Sequence, residues 1–299
     1  MKRKFSADRI IHIYQRTVNG FNLFYSSEDF LVFYTIFSTY AQRYSVCILG
    51  LCLMIDHVHV LISSDSIKSM GCFISAYTSE YVREFNTNSG RKGQLFKHHY
   101  GSAVKYEHKK IRSAIAYLFN NPVEKRLCDR AERYRWNFLA YYDCGFPFSP
   151  ILKKCSRRLE RSMKIVREMF NKGKSLSYPI LKNIFYRLDR DEKAYLTDYI
   201  IFTYFPFDRK GLEKFYKSHE DMLIAINSNT GSEYELVEKH YCKTDVAYRE
   251  IISYLHNSGI QNPQSVIMLT EHEKWSLFAK IKASTSATGS QIKKFLHLI

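Results

Sequence analysis

Apolar positions along the chain alternate between two periods. Arg9–Val18 carries Ile10, Ile11, Ile13 and Tyr14 and predicts a strand. Glu28–Tyr44 places Phe30, Leu31, Tyr34 and Phe37 on one stripe at helical spacing. Ser45–Met54 is a strongly apolar strand, and His57–Ser63 pairs with it through a tight turn at Ile55-Asp56. Ser66–Phe85 reads as a helix, Asn86–Gly93 as a polar, glycine-bearing loop, and His99–Lys105 as a further strand. A helix from about Glu107 to Asn121 follows, with Ile111, Ile115, Leu118 and Phe119 on one face, and Pro122 is expected to stop it.

The order strand, helix, strand, strand, helix, strand predicts an α+β fold of ferredoxin-like type. This is an antiparallel sheet with helices on one face, followed by a mainly α-helical C-terminal region. Beyond Pro150 the pattern is helical. Lys153–Asn171 is basic and amphipathic, and Asp189–Thr203 is helical until Phe205-Pro-Phe-Asp-Arg breaks the run. Asn227–Ser232 reads as a turn-rich linker. Thr270-Glu-His-Glu273 is a capping box opening a helix to about Lys282, and Ser290–Ile299 is a last short helix. The expected organisation is 1–150 as one domain, 151–265 as a helical extension, and 266–299 as a helix-turn-helix-like segment.

Composition narrows the setting. The 299 residues are 45% hydrophobic, yet no apolar run is long enough to span a bilayer, so a soluble chain without a membrane partner is expected. The basic start, Met-Lys-Arg-Lys-Phe-Ser, leads into no secretory apolar stretch. Seven cysteines are scattered without a C-x-x-C pair, which points to reduced thiols in a cytoplasm and away from a zinc finger. The net charge is +16, and residues 91–161 hold 17 Lys and Arg against 6 Asp and Glu. Such a basic stretch attracts a polyanion by Coulomb steering and counterion release, and nucleic acid is the expected partner. The alternative is a solvated basic surface with no partner. Aromatic residues, 15% of the chain, interleave with the cations and suit stacking on unpaired bases, although most belong to the core.

His57-Val58-His59 carries the most specific chemistry. On a strand, residues two apart share a face, so both imidazoles project together and can hold one metal ion. A bare His-x-His pair also arises by chance. On the last predicted helix of the N-terminal domain, Tyr117 and Asn121 are one turn apart and present side by side. A helix lying over the strand would bring a phenol and a metal to one spot. A phenol is a usable nucleophile for phosphorus, and a divalent cation polarises the phosphate it attacks. The ordinary readings are a partly buried core tyrosine for Tyr117 and a helix C-cap before proline for Asn121.

Four collinear stretches carry a family resemblance. They are Arg16-Thr-Val-Asn-Gly-Phe-Asn-Leu-Phe24, Cys52-Leu-Met-Ile-Asp-His-Val-His-Val-Leu-Ile62, Gly93-Gln-Leu-Phe-Lys-His-His-Tyr100 and Ala116-Tyr-Leu-Phe-Asn-Asn-Pro-Val123. Over roughly residues 8–140 the chain resembles the REP-associated tyrosine transposases of the single-tyrosine HUH superfamily. The resemblance implies that His57 and His59 bind Mg²⁺ or Mn²⁺, with Asn121 as the third ligand. It implies that Tyr117 attacks a DNA phosphate, leaving a 5′-phosphotyrosine and a free 3′-hydroxyl. The substrate implied is single-stranded DNA with hairpin-forming repeats, and the protein works as a monomer or homodimer. Arg91, Lys92, Lys97, Lys105 and Lys110 are the expected DNA-backbone contacts.

The chain departs from the family pattern at three places. Ile55-Asp56 stands where Pro-Asn is usual, Ala116 where Arg precedes the tyrosine, and His99 where Arg is frequent. Imidazoles by themselves favour Zn, Fe or Ni, so the Mg²⁺ assignment belongs to the resemblance. The alternative function is a regulator that binds structured DNA without catalysis. A replication initiator or relaxase is a third reading, and the Asn-Pro-Val context of the tyrosine counts against it. Trp275–Ile281 and Ser290–Leu298 resemble the first two helices of a helix-turn-helix.

Overall fold

A computed structural model describes residues 10–64, 66–97, 100–228 and 246–299. Its first half follows the predicted order. Strand β1 (Ile10–Arg16), helix α1 (Ser27–Arg43), strands β2 (Cys47–Leu53) and β3 (His57–Ser63), helix α2 (Ile67–Ser89), strand β4 (Gly101–Lys105) and helix α3 (His108–Glu124) succeed one another. The strands lie in the order β2-β3-β1-β4, every neighbour antiparallel. This is the ferredoxin-like arrangement expected from the sequence.

The period-2 pattern sorts side chains between the two faces. Tyr14 lies opposite His59 and Arg16 opposite His57, while Cys52 faces His59 from the other side. His12, Tyr14, Arg16, His57, His59 and Cys52 therefore share one face. Ile11, Ile13 and Gln15 point to the other, where the Tyr77 hydroxyl donates to Gln15 and Gln15 donates to Thr78 at 3.0 Å. Thus α2, packed beside α1, covers the Gln15 face. Helix α3 takes the opposite face with the histidines.

Two glycines permit close approach on that face. A Cβ at Gly50 would sit 3.1 Å from the Phe119 ring, so β2 is bare where α3 crosses it. A Cβ at Gly101 would fall 1.8 Å from Cζ of Tyr14, whose ring occupies the space above β4. Gly101→Ala should therefore destabilise the protein by about 1–3 kcal/mol through overpacking. Urea denaturation checks this; an unchanged midpoint would mean that the Tyr14 ring moves aside freely.

Three local features differ from the sequence expectation. Helix α2 does not end at Phe85 but runs through the expected loop to Ser89. Asn88 donates to Gln264, Asn86 donates to the Gly93 carbonyl at 2.8 Å, and Gly90 ends the helix at φ 65°. Tertiary partners thus satisfy a polar helix end that reads as loop in isolation. Helix α3 continues past Pro122 to Glu124. Proline removes one donor near the helix end, and the turn still closes through Lys125 N–H to Asn121 O at 3.1 Å and Leu127 N–H to Pro122 O at 2.9 Å. Asn121 is therefore not the helix cap but an interior residue, and its side chain turns to the sheet, with Nδ2 3.4 Å from His59 Nε2. The third is α1, which is buried from Asp29 to Thr39 on all sides instead of along one stripe.

The cover over α1 comes from the second half of the chain. Helix α4 (Arg157–Asn171) packs Leu159, Ser162 and Val166 inward. Helices α5 (Tyr178–Phe185) and α6 (Arg190–Thr203) lie on α1: Tyr178 donates to Asp29 at 2.7 Å, and Tyr34 to the Ile201 carbonyl at 2.9 Å. Short helices α7 (Arg209–Glu213) and α8 (His219–Asn227) follow. The expected linker, Asn227–Ser232, begins on described residues, where Asn227 ends α8 and binds Glu132 at 2.9 Å; its remainder lies outside the described residues, as does His99. Helices α9 (Val246–Asn257), α10 (Glu271–Ser284, with the predicted Thr270 capping box) and α11 (Gly289–Leu296) complete the chain. Helix α11 grips the segment after β1: Asn22 N–H donates to Lys294 O at 3.3 Å, Tyr25 to Phe295 O at 2.8 Å, and Phe21 stacks on His297 at 4.3 Å. Among the described residues no helix is long and apolar enough to cross a membrane.

Candidate active site

Strand β3 delivers His57 and His59 to the face under α3, and both are buried. Their ring centroids are 4.9 Å apart with the planes at 89°. Each Nδ1 has a protein partner. His57 Nδ1 lies 2.6 Å from Asp56 Oδ1, and His59 Nδ1 lies 3.1 Å from Nε2 of His12 on β1. A neutral His57 that donates from Nδ1 to the Asp56 carboxylate has its lone pair on Nε2.

Helix α3 places Tyr117 and Asn121 over this pair. The Tyr117 ring meets His59 edge-on at 5.5 Å and His12 edge-on at 5.8 Å. Asn121 Nδ2 lies 3.4 Å from His59 Nε2. Sequence spacing thus predicted a meeting that the fold brings about: His57, His59, Tyr117 and Asn121 converge. Two of the convergent atoms, His57 Nε2 and Asn121 Oδ1, are buried and accept no hydrogen bond from any described group. Buried polar atoms are normally partnered, so this pair of lone-pair donors is what a cation site between the imidazoles and the amide requires. The residues fit a divalent metal. Among the described residues no group of three or more His, Cys, Asp and Glu side chains converges to hold a metal ion, so any third donor beside the two imidazoles would have to be of another kind, such as an amide oxygen.

Electrostatics follow from burial. The Tyr117 phenol is pushed up to about 12, chiefly by burial and then by Glu124, with Arg16 and a hydrogen bond from Asn121 acting the other way. Burial above all holds His59 well below the usual imidazole range, and the nearby cations Arg16 and Lys125 act in the same direction. His12 is lowered to about 4 by burial, with Lys105 adding to the effect. Asp56 is lowered despite the opposing effect of burial, because His57, Lys294 and Lys125 all favour its carboxylate.

The expected DNA-backbone cations are spread unevenly. Lys105 lies on the site face of β4, opposite Ile10. Lys110 sits in the first turn of α3, 2.7 Å from Glu107. Lys92 and Lys97 are exposed. Arg91 turns its guanidinium into its own loop, on Asn86 Oδ1 at 3.1 Å and Gly93 O at 3.2 Å, so it braces that loop. Sequence reasoning missed His12 and Arg16. Their signal was a polar residue at every second position, 12, 14 and 16, against isoleucines at 11 and 13; only the register across β1 and β3 shows which histidine they meet.

Comparison with known proteins bears on this geometry. A family model described as "Transposase IS200 like" matches residues 8–121, less than half of the chain but all of the convergent residues. No curated protein matches. A solved structure of a REP-associated tyrosine transposase bound to a REP hairpin is similar over 52% of this chain and 94% of that one, at a TM-score of 0.39 and 12% identity. The stretch that holds His57, His59, Tyr117 and Asn121 is thus the part of the chain that is similar to the IS200-like transposase family.

Proposed function

We propose that the chain is a DNA transposase that cuts and rejoins single-stranded DNA at hairpin-forming repeats through Tyr117. The observation that carries this reading is the edge-on approach of the Tyr117 ring to His59, beside the unpartnered Nε2 of His57. His57, His59 and Asn121 would hold Mg²⁺ or Mn²⁺. Bound there, the cation polarises the scissile phosphate and offsets charge on the oxygens around phosphorus.

In the forward step the Tyr117 oxygen bonds to phosphorus, the bond from phosphorus to the 3′ oxygen breaks, and a proton equivalent to the one the phenol gives up ends on the leaving 3′ oxygen. The products are a 5′-phosphotyrosine and a free 3′-hydroxyl. Attack by a 3′-hydroxyl on the phosphotyrosine reverses the step and rejoins a strand. Arg16, which lies opposite His57 on β1, favours phenolate at Tyr117. Lys105 and Lys110 flank the same face and would hold the DNA backbone, with Lys92 and Lys97 further along. A cytoplasmic setting accords with the free cysteines among the described residues.

The test is to incubate the protein with Mn²⁺ and labelled single-stranded hairpin DNA from the repeats flanking its gene, then run a denaturing gel. A covalent protein–DNA band supports the reading. Tight hairpin binding with no such band, in Mg²⁺ and Mn²⁺ alike, replaces it with the DNA-binding regulator. Metal use has its own check. Mn²⁺ at a hundredfold excess over its Kd should stabilise the protein by about 2.7 kcal/mol. The double variant His57→Ala, His59→Ala should show no such shift in thermal unfolding; a shift equal to wild type would place the cation elsewhere.

A further inference from the structure

His12 is a buried histidine for which the reaction above has no use. It sits in the middle of β1, opposite Leu61 on β3 and Ala103 on β4, with 2% of its surface exposed. Its Nε2 is 3.1 Å from His59 Nδ1, and the two rings stack at 5.2 Å and 23°. An imidazole binds a metal ion through the lone pair of its neutral form, and its second ring nitrogen is then an N–H that needs an acceptor. Two neutral imidazoles in contact share one hydrogen bond, and only one ring can donate it.

The choice matters for His59. If His12 were the donor, the proton of His59 would lie on its Nε2, and no lone pair would face Asn121. If His59 is the donor, its Nε2 presents a lone pair beside the bare Nε2 of His57. Asn121 Nδ2, a donor, lies 3.4 Å from that Nε2, which accords with the second arrangement. The site then has an internal symmetry: Asp56 receives the Nδ1–H of His57, and a second ring receives the Nδ1–H of His59.

We infer that His12 is the positioning residue of His59, accepting its Nδ1–H so that both Nε2 lone pairs turn to one point. Histidine ligands depend on such partners for tautomer and ring orientation. An imidazole does this without adding charge, in a place where a second buried carboxylate would need a counter-ion of its own. The same ring also borders Tyr117 edge-on, so one side chain sets the lateral position of both the ligand and the phenol.

The inference rests on the metal reading above for its purpose, yet it can be tested without metal. Long-range ¹H–¹⁵N spectra of metal-free protein labelled at histidine should show His59 protonated on Nδ1. His12→Leu, which cannot accept, should shift His59 toward the Nε2–H form. His12→Gln, whose carboxamide oxygen accepts, should keep the wild-type form. Mn²⁺ binding followed by electron paramagnetic resonance, without DNA, should weaken about 10–100-fold in His12→Leu and only a few-fold in His12→Gln. An Nε2–H signal for His59 in the wild type overturns the inference, and so does wild-type Mn²⁺ affinity in a folded His12→Leu variant. Should His12→Leu fail to fold, the wild-type spectrum and His12→Gln still decide. If the wild type binds no Mn²⁺ at all, the metal reading falls while the tautomer result judges His12 separately.

Discussion

Tyr117→Phe should form no covalent adduct with single-stranded hairpin DNA, a loss of at least ~10³-fold in cleavage, while binding the same DNA as wild type does. Only the phenolic oxygen is removed. The ring that packs edge-on against His12 and His59 is retained, and its site is 7% exposed, so the apolar burial is nearly unchanged. The lost hydrogen bond with Asn121 costs about 1 kcal/mol of stability. A denaturing gel reads the adduct, a mobility shift reads binding, and circular dichroism confirms the fold. Persistence of the adduct in Tyr117→Phe would mean that another side chain attacks the phosphate. The wild-type phenol, pushed up to about 12, is almost wholly protonated at neutral pH. Its reactivity therefore depends on losing the proton as the bond to phosphorus forms, and Arg16 favours the resulting phenolate.

What the sequence disclosed and what it hid divide along a physical line. Strand β3 was legible to the residue, because alternation and the turn at Ile55-Asp56 both mark His57 as its start. Tyr117 and Asn121 were legible as neighbours because helical spacing is a local property. Pro122 misled, since its rule describes an isolated helix, whereas Lys125 and Leu127 close the last turn here. The end of α2 and the all-round burial of α1 were hidden for a related reason. Asn88 finds Gln264, Asp29 finds Tyr178 and Tyr34 finds Ile201, each partner lying well over a hundred residues away. His12 was the costliest omission: a single histidine in an apolar strand carries no sign of its partner until β1 and β3 are in register. Arg91 shows the converse, since a cation in a basic stretch reads as a DNA contact until its guanidinium is seen bound to its own loop.

Metal-free protein should lose stability steeply below about pH 6.5, and the buried imidazoles are the reason. Burial lowers His12 to about 4 and His297 to about 3, and it holds His59 well below the usual range. A depressed imidazole pKa means that the unfolded chain takes up protons which the folded chain refuses. The stability is complete above the unfolded pKa of 6.5 and is lost as pH falls toward the folded value. Asp29 opposes this trend. Burial raises its carboxyl to about 6, so between 6 and 4 the folded chain takes up a proton that the unfolded one does not. Near pH 5.5 three refused protons stand against most of one gained, a net of roughly two, or at most about 2.7 kcal/mol per pH unit. Over two pH units the loss is at most about 5 kcal/mol, which would exhaust a total stability at the lower end of the usual range of about 5–15 kcal/mol and leave a clear shift in the urea midpoint at the upper end. Urea denaturation at pH 7.5, 6.5, 5.5 and 4.5 without divalent metal measures the slope. His297 occupies left-handed backbone at φ 54°, a conformation that asparagine tolerates. His297→Asn therefore removes one titrating group and should flatten the slope by up to about 1.4 kcal/mol per pH unit. A stability that stays level from pH 7.5 to 5.5 would show that these histidines become protonated without leaving the fold, and that the site face opens to water more readily than its packing implies.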